Sequence, residues 1–493
     1  MRRIKAYLKA DLFKEFFLTA GAQIMSSGMG FILRIALQNI LKTELFGVYQ
    51  TAQAVLGITN TITDAGLAHA MVRFASQYAN EGNMAKAWAR IATALVLRLV
   101  LTLLTTVVGY FMVDYLAQDI YGNDALAEPM RWVFLGLVGG TLYGHYMFFT
   151  QALQRFGLRS IITVSTAAIR VGLFVIMWAL AMLGPSEMII LDAVVNLIGF
   201  SLGMYFAPKG MMQVTRAEFK ESVRELVPFC KYTGIIVVAG SIFEQLDTLM
   251  LAKFTSDEVV GIYGCAWTYA MVLNFITGAV ANVMFPKVTS MEKTEELKAF
   301  IKSTIKFTVP IAIATLPALP FMSWWLPWFQ PDYADGLPVF YIMYVGLICD
   351  MIFNPLGYIH YSINRPDILV KLVFARIAVN FTANYMLIPE YGAIGAAAAT
   401  VVTRVFGGAA SVGIIVYILR KRQQAEANGE PPPEEPLASP DESPQGPPEQ
   451  AAPGAALEYA EPPRPQGPPQ KGPSTSVRRR SRKPHSKKGP KKR

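Results

Sequence analysis

The residues of this chain best suited to binding or proton-transfer chemistry are charged side chains inside long apolar runs. Five arginines interrupt such runs: Arg34, Arg98, Arg170, Arg376 and Arg404. The acids in comparable positions are Asp64, Glu244, Asp247 and Asp350, and the histidines are His69, His145 and His360. A guanidinium keeps its charge and presents a planar fork of N–H donors, so a buried arginine can replace the water around an anion. The excess of arginine favours an anionic ligand, although pairing with a neighbouring acid is an equally open alternative.

Four of these arginines are predicted to bind the ligand. Arg170 and Arg376 lie near the middle of their apolar runs, at corresponding places in the two halves of the chain. Arg98 and Arg404 lie at a similar depth. Ionisable groups at such depth are expensive to bury and are therefore functional candidates.

Three further residues are predicted to act in gating or ion coupling. Glu244 and Asp247 are three positions apart, on one face of a helix, where two carboxylates can share a proton or bind sodium. Arg34 is a candidate partner for Asp247 in a latch that forms in one state and breaks in another, or in a static bridge. Asp64 is expected to cap a helix end together with Arg73.

The elements that position these residues are membrane-spanning helices. The chain has 493 residues, of which 53% are apolar and only 16% charged, too few charges for an ordinary soluble enzyme. Runs of about 20 apolar residues predict twelve spans. They cover residues 12–41, 46–72, 87–117, 131–153, 158–183, 187–207, 228–253, 259–285, 304–330, 336–362, 367–388 and 392–419. No catalytic motif, metal-binding spacing or nucleotide loop is present, so we predict neither an enzyme nor a cofactor.

The positive charges predict the orientation of the spans. Loop Lys and Arg residues fall almost entirely on one side, and only Lys42, Arg131 and Lys253 fall on the other. Because such residues collect on the cytoplasmic side, both termini are predicted to be cytoplasmic. Residues 1–11 are predicted to form a basic amphipathic helix on the membrane surface.

A sequence repeat divides the spans into two sets of six. Residues 44–52 and 258–266 share Glu, Gly, Tyr and Ala at identical spacing, displaced by 214 positions. We therefore predict two parallel six-helix bundles, 12–210 and 228–422, joined by a cytoplasmic linker at 211–227. The second bundle holds most of the prolines of the body, and its span 304–330 is predicted to be bent.

The last 71 residues, 423–493, have a different composition. They hold 17 of the 31 prolines, and their acids precede a cluster of bases that ends RRRSRKPHSKKGPKKR. This composition predicts a disordered polyampholyte tail, with little to bury. Its basic end is suited to anionic lipids, to a protein partner or to non-specific nucleic-acid binding, or it has no specific role.

Several short motifs in order along residues 12–420 resemble the oligosaccharide flippase (Wzx-type polysaccharide biosynthesis) family. They include the segments 46–49, 63–67, 72–74 and 245–251, together with Phe285-Pro286 and residues 331–334. The most specific is Ile388-Pro389-Glu-Tyr-Gly392-Ala-Ile-Gly395, followed by an alanine run to Thr400. The resemblance implies the multidrug/oligosaccharidyl-lipid/polysaccharide exporter superfamily and two six-helix bundles around a central cavity.

The resemblance implies a flippase of the plasma membrane that moves polyprenyl-pyrophosphate-linked oligosaccharide from the cytoplasmic to the outer leaflet for surface polysaccharide synthesis. Polysaccharide polymerase or glycosyltransferases are then possible partners. The arginines would hold the pyrophosphate, and the cleft between the bundles would open to each face in turn. Two alternatives remain: an ion-coupled exporter of small organic solutes, and a non-transporting scaffold of a polysaccharide assembly complex.

Overall fold

The computed structural model describes residues 2–207, 214–289, 291, 293–363 and 365–428. In these ranges the chain is helical throughout and contains no strand. The first half comprises α1 (Arg2–Asp64), α2 (Leu67–Asn80), α3 (Met84–Asp114), α4 (Ala127–Ala152), α5 (Phe156–Ala179) and α6 (Pro185–Tyr205). The second half comprises α7 (Arg216–Phe254), α8 (Asp257–Ala270), α9 (Val272–Thr289), α10 (Thr294–Thr315), α11 (Ala318–Phe329), α12 (Leu337–Gly357), α13 (Ile359–Ser362) and α14 (Pro366–Asn428).

Apolar helices long enough to cross a membrane account for most of the described chain. Eight helical stretches meet that requirement, and a ninth is formed if α8 and the start of α9, bent by 41°, are counted as one span. Exposed large apolar side chains such as Phe111, Trp178 and Ile313 cover their outer surfaces. In water such a surface would be unfavourable, whereas lipid tails accommodate it. The protein is therefore a multi-pass membrane protein.

The two longest helices are each broken by a residue with a positive φ. In α1 the break is at Lys42 (φ 57°), and in α14 it is at Gly392 (φ 53°). Glycine adopts this conformation readily, whereas lysine does so at a steric cost, so only the second break has a clear signal in the sequence. We refer to the two sides of the protein as the Lys42 end and the Asp64 end, after the two ends of the second segment of α1.

The span predicted to bend, 304–330, is interrupted. Helix α10 ends at Thr315 and α11 begins at Ala318, with Pro317 between them. A proline removes one backbone donor and clashes with the preceding turn, which accounts for the break at this place.

Two predicted boundaries differ from the structure. Helix α7 begins at Arg216, inside the stretch predicted to be a linker, and Thr215 and Glu218 form a capping box at its start. Helix α14 continues through Asn428, past the predicted start of the tail at Gln423. The remainder of the predicted tail, 429–493, lies outside the described residues. So do the side chains on which the amphipathic character of residues 1–11 depends.

The repeated motif is the place where the two halves touch at the Lys42 end. A Cβ on Gly47 would lie 1.8 Å from the carbonyl oxygen of Asp257, and one on Gly261 would lie 1.9 Å from that of Thr43. The two contacts are reciprocal, because Thr43 and Gly47 are displaced from Asp257 and Gly261 by the same 214 residues. Helices α1 and α8 therefore cross backbone to backbone, which only glycine permits at these positions.

At the Asp64 end, the first half contacts α7 instead. A Cβ on Gly234 would lie 2.6 Å from the carbonyl oxygen of Ala65. About two to three turns before the membrane-spanning part of α7, Glu225 and Glu221 accept hydrogen bonds from Arg90 of α3, whose side chain is fully buried. The two halves are thus joined by close helix contacts at both ends.

Candidate functional site

The second half contains a buried carboxylate surrounded by neutral donors. Asp247 of α7 accepts hydrogen bonds from Tyr263 of α8 (2.8 Å) and, across the break in α14, from Asn380 (3.0 Å), Asn384 (2.6 Å) and Thr400. Asp247 is only 9% exposed. In the described part of the chain it forms no ion pair, so four uncharged groups stabilise its charge.

This arrangement can accept a proton or hold a monovalent cation. The side chains around Asp247 supply amide, hydroxyl and carboxylate oxygens, which are the ligands that hard cations prefer. The Oδ1 atom of Asn384 is buried and has no hydrogen-bond partner, so one acceptor of the cluster is unused. Within the described ranges, no group of three or more His, Cys, Asp and Glu side chains could hold a metal ion.

The other two residues predicted for gating or coupling lie apart from this cluster. Glu244, one turn earlier on α7, is exposed and forms no hydrogen bond to Asp247. Arg34 of α1 donates to Gln50 (2.6 Å) and to Thr268 of α8 (2.8 Å), and not to Asp247. The predicted pair between Arg34 and Asp247 is therefore absent from this conformation, because each residue has nearer partners of its own.

Arg34 instead belongs to a polar seam between the halves. Gln38 donates to the same Thr268 hydroxyl (3.0 Å), and Gln330 donates to the Gln38 side chain (3.3 Å). The Tyr333 hydroxyl donates to the backbone oxygen of Gln38 (3.1 Å). The seam contains amides and hydroxyls together with one permanent positive charge.

In the first half, Arg170 is paired with an acid that the sequence analysis did not single out. Its Nε lies 3.2 Å from Asp192 of α6. The other oxygen of Asp192 accepts a hydrogen bond from Gln53 (3.1 Å), which also donates to the Tyr49 hydroxyl (2.9 Å). Arg170 and Arg159 line a cavity of about 280 Å³ between α1, α4 and α5. The side chain of Arg170 is 35% exposed there, so it can reach a ligand while it is paired.

Arg98 and Arg404 are also held by aspartates. Arg98 lies 3.2 Å from Asp64, and both side chains are buried. Asp64 also accepts the backbone N–H of Ala68, so it caps α2 as expected, although its cationic partner is Arg98 and not Arg73. Arg404 donates to Asp350 at 2.8 Å.

Arg376 differs from the other three. Its guanidinium lies over the ring of Phe243, 4.7 Å from the centroid. Its Nε is buried without a hydrogen-bond partner, as are the Nε atoms of the other three. In the described part of the chain, no carboxylate lies within ion-pair distance of it. A Cβ on Gly407 would touch the arginine stem at 2.6 Å, so that glycine makes room for the side chain. Of the four predicted ligand-binding arginines, Arg376 is the one that forms no ion pair with a described residue, although Asp350, the partner of Arg404, is near enough to interact with its charge.

Asp192 changes the charge balance from which an anionic ligand was inferred. It lies five residues into the predicted span 187–207 and should have been counted with the buried acids. With Asp192 included, the apolar runs contain five arginines and five acids, so arginine is no longer in excess. The inference then depends on which arginines lack an acid partner. The amides Asn380 and Asn384 were also missed, although polar residues one helical turn apart inside an apolar run were a visible signal.

The family model described as polysaccharide biosynthesis protein matches residues 12–292, more than half of the chain. The chain belongs to this family. A probable flippase of Haloferax volcanii, AglR, is 23% identical over 428 residues, which cover 82% of this chain and 83% of the relative. A probable low-salt glycan biosynthesis flippase of the same organism, Agl15, is 23% identical over 188 residues, which cover 36% of this chain and 39% of the relative. An uncharacterized membrane protein of Methanocaldococcus jannaschii is 22% identical over 407 residues, covering 78% and 79%.

Solved structures with the same fold are transporters. The inward closed conformation of the lipid II flippase MurJ matches with a TM-score of 0.61 and 14% identity, over 81% of this chain and 87% of that one. The inward-facing conformation of a multidrug resistance MATE family transporter of the MOP superfamily matches with a TM-score of 0.60 and 13% identity, over 79% and 99%. The fold of this polysaccharide biosynthesis protein is therefore that of the MOP superfamily, which confirms the resemblance seen in the sequence.

Proposed function

We propose that this protein is a flippase that moves a polyprenyl-pyrophosphate-linked oligosaccharide from the cytoplasmic to the outer leaflet of the plasma membrane. Membership of a polysaccharide biosynthesis family with probable glycan flippases among its relatives supports the class of cargo. The single observation that carries the proposal is Arg376, a partly buried guanidinium that forms no ion pair with any described residue, unlike Arg98, Arg170 and Arg404. A pyrophosphate can supply the missing anion, because its oxygens match the guanidinium fork.

The other arginines have graded roles in this proposal. Arg170 faces a cavity and can exchange its contact with Asp192 for one with the cargo. Arg98 and Arg404 are more deeply buried than Arg170 and would bind the cargo only if Asp64 and Asp350 released them. An acid partner keeps the empty site close to neutral, which lowers the cost of burying each arginine in the membrane.

Twelve crossings in two six-helix bundles are part of the proposal. The breaks at Lys42 and Gly392 turn two of the eight long apolar stretches into four crossings, and the bent α8–α9 pair and α4 add two more. The reciprocal contact of Gly47 and Gly261 supports a parallel repeat, because a pseudo-twofold axis produces such paired contacts. The Asp64 end would then face the cytoplasm, together with both termini.

Alternating access would open the contacts at one end while those at the other end persist. The polar seam around Arg34 would be the gate at the Lys42 end. Its buried amides and hydroxyls would exchange their hydrogen bonds for bonds to water when the seam opens, at a net cost of about 0.5–1.5 kcal/mol each. Asp247 would couple this movement to a proton or a sodium ion, with exposed Glu244 as an entry point for the cation.

Flipping by purified protein tests the proposal. In proteoliposomes with a fluorescent polyprenyl-pyrophosphate oligosaccharide, Arg376→Gln should reduce the flipping rate by about tenfold to a hundredfold, since hydrogen bonds to charged groups contribute about 1.5–3 kcal/mol. Arg420→Gln, an exposed arginine on the same helix, is the matched control. Equal rates for the two variants would exclude Arg376 from the site. Transport of a cationic solute with no flipping would instead support the exporter alternative.

A further inference from the structure

A second crevice lies at the Asp64 end, apart from the cavity that Arg159 and Arg170 line. It has a volume of about 380 Å³ and is formed by α3, α4 and the amino end of α7. Its lining includes Thr93, Val96 and Leu99 of α3, His145 of α4, and Arg216 and Phe219 of α7. Most of this lining is apolar, and the charged group among these residues is the exposed Arg216.

Two polar side chains that line the crevice are buried and have no hydrogen-bond partner. Thr93 is fully buried, yet its hydroxyl makes no bond to the carbonyl one turn earlier, as the hydroxyls of Thr102 and Thr150 do. His145 is 3% exposed, and neither ring nitrogen has a partner. A buried donor without a partner is unfavourable, and native proteins rarely contain one. Two of them in the wall of one crevice indicate a ligand with acceptor oxygens at that depth.

The chemistry of the crevice changes in order along its length. Arg216 is the first residue of α7, outside the apolar span of that helix. Thr93 and His145 lie roughly 13 Å and 11 Å inside the helix ends at Met84 and Ala152, at 1.5 Å per residue. Beyond them are Val96 and Leu99. The order is therefore a cation, then hydrogen-bond donors, then an apolar wall.

The apolar wall continues into the lipid-facing surface of α3. Val96, Val100, Leu103, Leu104 and Val107 are all exposed and recur at helical spacing. A chain that enters the crevice at Val96 can therefore continue along this face in the bilayer.

We propose that this crevice binds one glycerophospholipid from the leaflet at the Asp64 end. Its phosphate would lie on Arg216, an ester carbonyl would accept hydrogen bonds from Thr93 and His145, and an acyl chain would follow α3. A polyprenyl pyrophosphate fits less well, because its isoprenoid chain has no acceptor oxygens below the phosphates. The crevice shares no lining residue with the cavity at Arg170, and binding of a phospholipid there does not depend on flipping.

Native mass spectrometry of the full chain tests the rim of the site. With dioleoylphosphatidylglycerol as the probe, Arg216→Gln should weaken lipid retention by about tenfold, the effect of losing one charge-assisted contact. Arg224→Gln removes an exposed arginine two turns later on α7, outside the crevice, and should retain the lipid fully. Equal retention by these two variants would overturn the proposal.

A comparison of ester and ether lipids tests the depth of the site. Thr93→Val keeps the shape of the side chain and removes the hydroxyl, so retention of the ester lipid should fall by about threefold. Retention of the matching diether phosphatidylglycerol, which has no carbonyl, should not change. An equal effect on both lipids, or no effect on either, would contradict the assignment. Displacement of the phospholipid by an equimolar polyprenyl pyrophosphate would assign the crevice to the cargo and overturn it as well.

Discussion

Arg98, Arg170 and Arg404 each form an ion pair with an aspartate, whereas Arg376 forms none with the residues that the structure describes. This difference matters for binding because a paired arginine must give up its partner or share it before it can hold an anion. Arg376, stacked on Phe243 instead, loses no ion pair when a ligand arrives. Arg376 and the half-exposed Arg170 are therefore the residues at which cargo contacts should contribute most.

Asp247 leads to a prediction about coupling. Asp247→Asn keeps the size of the side chain but removes the charge that a proton or cation would neutralise. We expect the stimulation of flipping by an imposed sodium or pH gradient to fall by about tenfold, while the rate without a gradient remains measurable. Flipping in proteoliposomes under each gradient is the measurement, and Glu258→Gln, an exposed acid on α8, is the control. If the variant responds to both gradients as the unmodified protein does, Asp247 is not the coupling residue.

The residues of the Asp247 cluster show how far a sequence can predict a site. Asp247 itself was predicted from its charge inside an apolar run. Its partners Asn380 and Thr400 follow it by 133 and 153 residues, and only the folded helices bring them together. The predicted pair of Arg34 and Asp247 is not formed in this conformation, which excludes a static bridge here and leaves the latch between two states as a prediction.

At the scale of helices, α7 carries the clearest departure from prediction. The stretch 211–227 was predicted to be a linker because it is polar, yet α7 begins at Arg216. The signal was present as Thr215-Arg-Ala-Glu218, a capping box that stabilises a helix start. A polar stretch is compatible both with a linker and with a helix outside the membrane. This part of α7 precedes the apolar span that begins at Thr233, and its acids bind Arg90.

This ion-pair cluster leads to a prediction about pH. Hydrogen bonds from Arg90 and Lys86 lower the pKa of Glu221 below its ordinary value of 4.5. A carboxylate with a lowered pKa stabilises the folded state above the unfolded pKa, and the effect is lost as the pH falls through the folded pKa. Glu221→Gln should therefore melt at a slightly lower temperature than the unmodified protein at pH 7, and the gap should close below about pH 4.5.

The melting temperature of both proteins in detergent across this pH range is the measurement. Glu258→Gln, which removes an acid outside the cluster, should show no such gap at any pH. A gap that stays constant down to pH 3 would mean that the charge of Glu221 does not contribute to the contact between α3 and α7.

Considered as a whole, the molecule joins its halves in different ways at its two ends. At the Lys42 end, α1 and α8 cross at Gly47 and Gly261, and a seam of neutral amides and hydroxyls surrounds Arg34. At the Asp64 end, α7 is tied to the first half by buried Arg90 and its two glutamates. When neutral amides and hydroxyls separate, each exchanges its hydrogen bond for one to water at a modest net cost, whereas separating a buried arginine from its acids is expensive. The Lys42 end should therefore be the easier one to open.

A reversible cross-link at the Lys42 end tests whether flipping needs this opening. The side chains of Asn123 and Asp257 are joined there by a hydrogen bond of 2.5 Å. After replacement of Cys230, Cys265 and Cys349, cysteines at these two positions joined by a short thiol-reactive linker should lower flipping to the background rate. Reduction of a disulfide-containing linker should restore it, and each single cysteine should leave the rate unchanged. Normal flipping by fully cross-linked protein would mean that the two halves stay in contact at the Lys42 end throughout transport, which is incompatible with the alternating access proposed for this chain.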